Sequence, residues 1–163
     1  TLLEEIPIDA ARFFFNLREP NSHFDFDLEL AAKQSSENPV YYVQYAHARI
    51  CSIIKKAAEE GIEVVTPSAE ALNRLNSDEE RDLISHLAGL TDEIIGAAKN
   101  YDPAKITHYV IDLATLFHKF YNAHRVVSDD KELTEARLFL CTAVKNTIKN
   151  ILVMLKVDVP EAM

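Results

Sequence analysis

The sequence predicts an all-α protein, a helical bundle, on three observations. Gly occurs only 3 times in 163 residues, and Leu, Ala, Glu, Lys and Ile fill the long segments, so the residues that interrupt helices are nearly missing from them. Apolar residues recur at spacings of three and four over most of the chain, the period of a helix with one inward face. Pro7, Pro39 and Pro103 stand where a helix can open, in its permitted first turn. With 48% hydrophobic and 26% charged residues, the chain has the composition of one soluble unit with a core of its own.

In chain order, Ala10, Phe13, Phe14 and Leu17 fall on one face of a short helix expected from Pro7 to Arg18, which Pro20, Asn21 and Ser22 break. Phe24, Phe26, Leu28 and Leu30 then alternate with acids, a period-two pattern that predicts a brief extended stretch running into helix near Leu28. Asn38-Pro39 is a cap followed by a first-turn proline, so a long helix is expected from Pro39 to Glu60, stopping at Gly61. Residues 61–78 form a connection with one short helix around Ala69 to Arg74. Ser77 or Asp78 caps the next helix, with the stripe Leu83, Leu87, Leu90, Ile94 and Ala98. Pro103 opens a helix through Val127 with Ile106, Val110, Leu113, Phe117 and Phe120 inward. A last helix is expected from Lys131 to Lys156, and Val157 to Met163 form a tail. Four long helices with short connections make a bundle.

The net charge of −9 taken alone argues against a polyanionic partner, because clustered Lys and Arg are what attract one. The acidity is uneven. Residues 1–37 carry eight acids against three bases and residues 61–103 nine against three, whereas 38–60 and 104–163 each carry one base in excess. The latter two segments can share a neutral or mildly positive face. Cys51 and Cys141 lie in apolar helical patterns and read as buried thiols of a reducing compartment. No apolar run approaches a membrane span and no signal segment opens the chain, so a cytoplasmic protein without membrane partners is expected. Thr1 in place of an initiating Met suggests a fragment.

Motifs of common enzymes are missing from the sequence: no Gly-rich phosphate cradle, no Gly-x-Ser-x-Gly, no His-Glu-x-x-His. The six histidines include no i, i+4 pair for a metal, and none is expected. Asp25 and Asp27, by alternation, both face solvent.

Residues 38–50, NPVYYVQYAHARI, are different in kind. Helical spacing puts Tyr42, Tyr45 and Arg49 on one face, two aromatic planes and a guanidinium in a row, with Val40, Val43, Ala46 and Ile50 as candidate core around the other side. Unpaired bases are held by stacking on such planes and read by hydrogen bonds to their edges. The alternative is that the tyrosines are core with hydroxyls at the rim. A second cluster, FHKFYNAHRV at 117–126, sets Tyr121 one turn after Phe117 and beside Asn122. Lys145, Lys149 and Lys156, spaced i, i+4 and i+11 along the last helix, can meet phosphates or simply form a solvated face.

The stretch DAARFFFNLREPNSHFDFDLELAAKQSSENPVYYVQYAHARICSI, from Asp9 to Ile53, resembles the segment that follows the ATP-handling loop in bacterial-type arginyl-tRNA synthetases. The resemblance continues through FHKFYNAHRV to EARLFLCTAVKNTIKNILVMLKVDVPEAM at the end, which is similar to the close of the anticodon-binding domain named for an Asp-Ala-Leu-Arg signature. Here that signature is Glu135-Ala136-Arg137-Leu138, a departure from its name.

The resemblance implies a class I synthetase anticodon-binding bundle over residues 38–163, with residues 1–37 joining it to a catalytic domain of the same protein. It implies that the partner is the anticodon stem-loop of an arginine tRNA, contacted by Tyr42, Tyr45, Arg49, Tyr121 and Met163, with Gln44, His47 and Asn122 supporting and Lys145, Lys149 and Lys156 toward phosphates. Neither the His-x-Gly-His nor the Lys-Met-Ser-Lys-Ser element of the catalytic domain occurs in these residues. Catalytic residues and cofactors are therefore expected to be absent here, with ATP and magnesium belonging to the full-length ligase. The rival expectation is a helical protein-interaction module that binds no RNA.

Overall fold

The structure, a computed structural model, describes residues 2–19, 21–23 and 25–163, with the backbone alone at Leu2 and Leu3. Every regular element among them is a helix: α1 (Leu2–Glu5), α2 (Ile8–Phe15), α3 (Leu28–Ala32), α4 (Pro39–Glu59), α5 (Ala69–Leu72), α6 (Asp78–Ala88), α7 (Leu90–Asn100), α8 (Ala104–Ala123) and α9 (Lys131–Met154). Helices α4, α8 and α9 pack on one another at the centre, α6 and α7 lie along α8, and α2 bridges α3 and α4. Phe13, Ile50, Leu83, Leu113, Phe117, Phe120, Leu138 and Ile148 are fully buried between them.

The start of α4 shows why its position is fixed. Asn38 Oδ1 accepts from the Val40 N–H while its amide donates to the Ala31 and Lys33 carbonyls, so one buried side chain caps α4 and fastens α3 to it. At the other end Gly61, at φ +79°, adopts the left-handed turn that closes the helix, with Ile62 N–H on Ala57 O at 2.8 Å.

Three expectations are corrected. Phe24 and Pro20 lie outside the described residues, but no strand occurs among the others; residues 25–27 are irregular, and Asp27 caps α3 by accepting from Leu30 N–H at 2.9 Å. The single helix expected after Ser77 is two, broken at Gly89, which ends α6 and begins α7. The break changes the phase of the stripe: Ala97 is buried in place of Ala98, and Ile94 is 37% exposed. Helices α2, α8 and α9 end earlier than their apolar patterns, at Phe15, Ala123 and Met154.

Ser77 caps α6 in a reciprocal capping box with Glu80. Glu80 Oε2 accepts from the Ser77 N–H at 3.0 Å, and its other oxygen receives Arg137 Nε at 2.8 Å. Burial would raise this carboxyl, but the Ser77 N–H and the Arg137 guanidinium hold it below the usual range. Arg137 also donates to the Arg125 carbonyl and His124 Nδ1. The arginine of the Glu-Ala-Arg-Leu signature thus ties α6 and α9 to the end of α8.

Past α9, Lys156 takes a left-handed φ of +57°, and Val157 N–H returns to Leu152 O at 2.9 Å. The turn sends the tail back over α2 and α4. Arg12 donates to the Lys156 carbonyl at 2.7 Å, and Val157 is buried. No helix among the described residues is long and apolar enough to cross a membrane. Cys141 is buried, which raises its thiol to about 12; Cys51 is only partly buried.

Candidate nucleic-acid interface

A residue pattern of period 3.6 places Tyr41, Tyr45 and Arg49 one turn apart along α4. The Tyr41 and Tyr45 rings lie nearly parallel at 6.3 Å. The Arg49 guanidinium carbon stands 4.6 Å from the ring centre of Tyr45 and 4.6 Å from that of Tyr121 on α8, and Arg49 Nη2 donates to the Tyr45 hydroxyl. Two aromatic rings therefore flank the cation. They border a cavity of about 290 Å³ whose other walls include Lys56, Ala162 and Met163. Planar walls, a cation and a flexible thioether suit a flat polar ring with acceptors on its edge.

Of the residues named from sequence, Tyr45, Arg49, Tyr121 and Met163 meet at this cavity. Tyr42 does not line it. Its ring packs against His118 at 4.7 Å, half-buried beside the core, because α8 closes over that side of α4. His118 also lies against Tyr45 at 6.1 Å. Burial, with the nearby Arg49 charge, holds its imidazole below the ordinary value.

Gln44 and His47 face the tail instead of solvent. Gln44 Nε2 donates to Asp9 Oδ2 at 3.1 Å and to the Asp158 carbonyl at 2.9 Å. His47 Nδ1 lies 3.0 Å from the Pro160 carbonyl, and burial lowers its pKa. Asn122 is exposed and lines a neighbouring depression with Lys56 and Arg125. Lys145 and Lys149 lie close enough to His47 for their charges to lower its pKa further. Lys156 does not continue their row: α9 ends at Met154, so the helical spacing that grouped it with them fails there.

Sequence reasoning missed Asp9, which accepts from both Gln44 and the Asp158 N–H. A lone acid separated by 35 and 149 residues from its partners leaves no local signal. Lys56 was missed as well, although its place seven residues after Arg49 on the same helix could have marked it.

The model of a family described as the DALR anticodon binding domain matches residues 43–163. An arginine-tRNA ligase of Caldanaerobacter subterraneus subsp. tengcongensis is 53% identical over 162 residues, covering 99% of this chain and 29% of that protein. One of Staphylococcus epidermidis is 49% identical with the same coverage. The chain thus spans 29% of the length of either relative. Among solved structures, an arginyl-tRNA synthetase of Thermus thermophilus superposes with a TM-score of 0.80 at 30% identity, over 95% of this chain and 26% of that one.

Proposed function

The chain belongs to the DALR anticodon binding domain family, and from that premise we propose that it reads the anticodon loop of an arginine tRNA as part of an arginine-tRNA ligase. The observation that carries this reading is the guanidinium of Arg49 held between Tyr45 and Tyr121 at the wall of a cavity that Met163 completes. Every arginine codon has G in the middle, so every arginine anticodon has C there. Cytosine presents two acceptors, O2 and N3, to a donor such as Arg49, and its flat ring suits the cavity that Tyr45, Tyr121 and Met163 line beside that guanidinium. Uracil replaces the N3 lone pair with an N–H and meets the guanidinium poorly.

On this reading residues 38–163 are the anticodon-binding bundle, and residues 1–37 join it to a catalytic domain of the same cytoplasmic protein, where ATP, magnesium and arginine are handled. Lys145 and Lys149 take phosphates of the loop. The rival, a protein-interaction module without RNA, is not favoured by the family match. The test is binding of a 17-nucleotide-scale anticodon stem-loop (roughly the size of a hairpin stem and seven-membered loop) at near-physiological salt, because affinities for RNA depend steeply on salt. A loop with middle cytosine is expected to bind more tightly than its uracil counterpart; equal binding, or none, overturns the reading.

A further inference from the structure

Arg49 can read a base only while its guanidinium faces the cavity, and Tyr45 is what aims it. The Tyr45 ring lies 4.6 Å from the cation, and its hydroxyl accepts from Arg49 Nη2. Within α4 the neighbours of Tyr45 one turn away are Tyr41 and Arg49, long side chains that are half-buried like Tyr45 itself. Such side chains do not fix one another's rotamers, so the aim of Arg49 needs a support from outside the helix.

The ring that meets Tyr45 from another helix is His118 of α8, 24° from parallel with centres 6.1 Å apart. His118 is itself wedged, with Tyr42 at 4.7 Å on the α4 side and the fully buried Phe117 at 5.6 Å on α8. Tyr121 follows His118 by one turn, so α4 and α8 meet in two successive rungs, His118 on Tyr45 and Tyr121 on Arg49. The second rung belongs to the cavity wall; His118 does not line the cavity. Its Nε2 is sealed from water and has no hydrogen-bond partner, so what the ring presents to Tyr45 is a flat face and not a polar edge. Burial and the Arg49 charge both favour the neutral imidazole, and that face therefore sets no second charge against the guanidinium.

Resting on the anticodon reading above, we propose that His118 is the positioning residue of the base site: its face seats Tyr45, Tyr45 aims Arg49, and the preference for a middle cytosine depends on a side chain that does not touch the RNA.

The unpartnered nitrogen makes the test clean, because removing it relieves the fold of a buried polar atom. The experiment measures middle-C and middle-U anticodon stem-loops on the native chain, His118→Phe, His118→Leu, Tyr45→Ala and the Tyr45→Ala, His118→Leu double variant, with the melting temperature of each. His118→Phe keeps a flat face and is expected to keep the preference at an equal or higher melting temperature. His118→Leu refills the space without a flat face; its melting temperature is expected to stay near native while the preference falls by about tenfold, the scale of one hydrogen bond from a charged donor. In the Tyr45→Ala background the same change is expected to add nothing, since two residues that act through one contact do not add. A residue that only packed the core would instead give a preference that follows melting temperature and losses that sum. Full preference in a folded His118→Leu, loss of it in a folded His118→Phe, or a further loss in the double variant overturns this inference alone. A native chain that does not prefer middle C overturns the anticodon reading and this inference with it. If His118→Leu does not fold, His118→Met, also without a flat face, takes its place with the same expectations.

Discussion

His47 Nδ1 lies 3.0 Å from the carbonyl oxygen of Pro160, and the ring is 2% exposed. A neutral imidazole with its proton on Nδ1 donates this bond, so a buried side chain in the middle of α4 holds the last turn of the tail against the helix that carries Tyr45 and Arg49. Replacing His47 with Ala removes the donor and leaves the carbonyl without one, at a cost of roughly 1 to 3 kcal/mol. The expected result is a lowered melting temperature together with faster release of the last residues by carboxypeptidase. An unchanged digestion rate would show that the tail does not depend on His47.

The same burial predicts a pH dependence. Burial lowers the pKa of His47, with the Lys145 charge adding and the Pro160 bond and Glu161 opposing, and it lowers that of His118, with Arg49 adding. A folded pKa below the unfolded one means that the fold favours the neutral ring. The stability contributed by each is full above the ordinary histidine value of about 6.5 and is lost as the pH falls through the lowered folded values. Ring-proton titration followed by NMR is expected to place both midpoints below the ordinary histidine value of about 6.5. Midpoints at or above it would mean that the rings are not buried as described.

Arg49 and Lys149 separate two kinds of contact. Arg49→Ala is expected to weaken a middle-cytosine loop by about 1 to 3 kcal/mol and to erase the preference over uracil, whereas Lys149→Ala weakens every loop alike and lowers the salt slope by roughly 0.7 to 0.9. Arg49→Lys should not rescue the preference, because an ammonium does not present a plane to Tyr45 and Tyr121 at 4.6 Å. Titration of each variant with middle-C and middle-U loops at two salt concentrations gives both quantities. Retained discrimination in Arg49→Ala would remove Arg49 from the specificity role.

These assignments show what the sequence makes legible. Local chemistry reads well: Asn38-Pro39 marks the start of α4 to the residue, Ser77 is the α6 cap, and the one-turn spacing of Tyr45 and Arg49 survives into the cavity. Periodicity reads less well where a helix changes phase. Gly89 stays at a negative φ of −80° with ψ −6°, a conformation open to any residue, so no need for a glycine announces the break, and the stripe through Ile94 and Ala98 continues on paper. Contacts between distant segments are not legible at all. Asp9 is one acid among eight in its acidic block, and only the return of the tail over α2 gives it Asp158 as a partner. Tyr42 fails for a related reason: a face of α4 read alone does not include α8, whose His118 covers it.

The end of the chain is the remaining test. The tail is anchored upstream of its last residue: Val157 is buried, the Asp158 carbonyl takes Gln44, and the Pro160 carbonyl takes His47. Met163 itself is 50% exposed and contributes little to the core, yet it lines the cavity beside Arg49. A flexible thioether there can pack against a base. Burial of one such side chain is worth roughly 1.5 to 3 kcal/mol at most, and in the free protein half of that contact is not made. Deleting Met163 is therefore expected to weaken anticodon-loop binding by about tenfold at most, since half of the upper end of that range is about 1.4 kcal/mol, while melting temperature and helical content stay nearly constant. Extending the chain with a tag adds bulk next to the cavity that Met163 lines and should act in the same direction. Loss of melting temperature on deletion would move Met163 into the fold, and unchanged affinity in both the deleted and extended proteins would remove it from the interface.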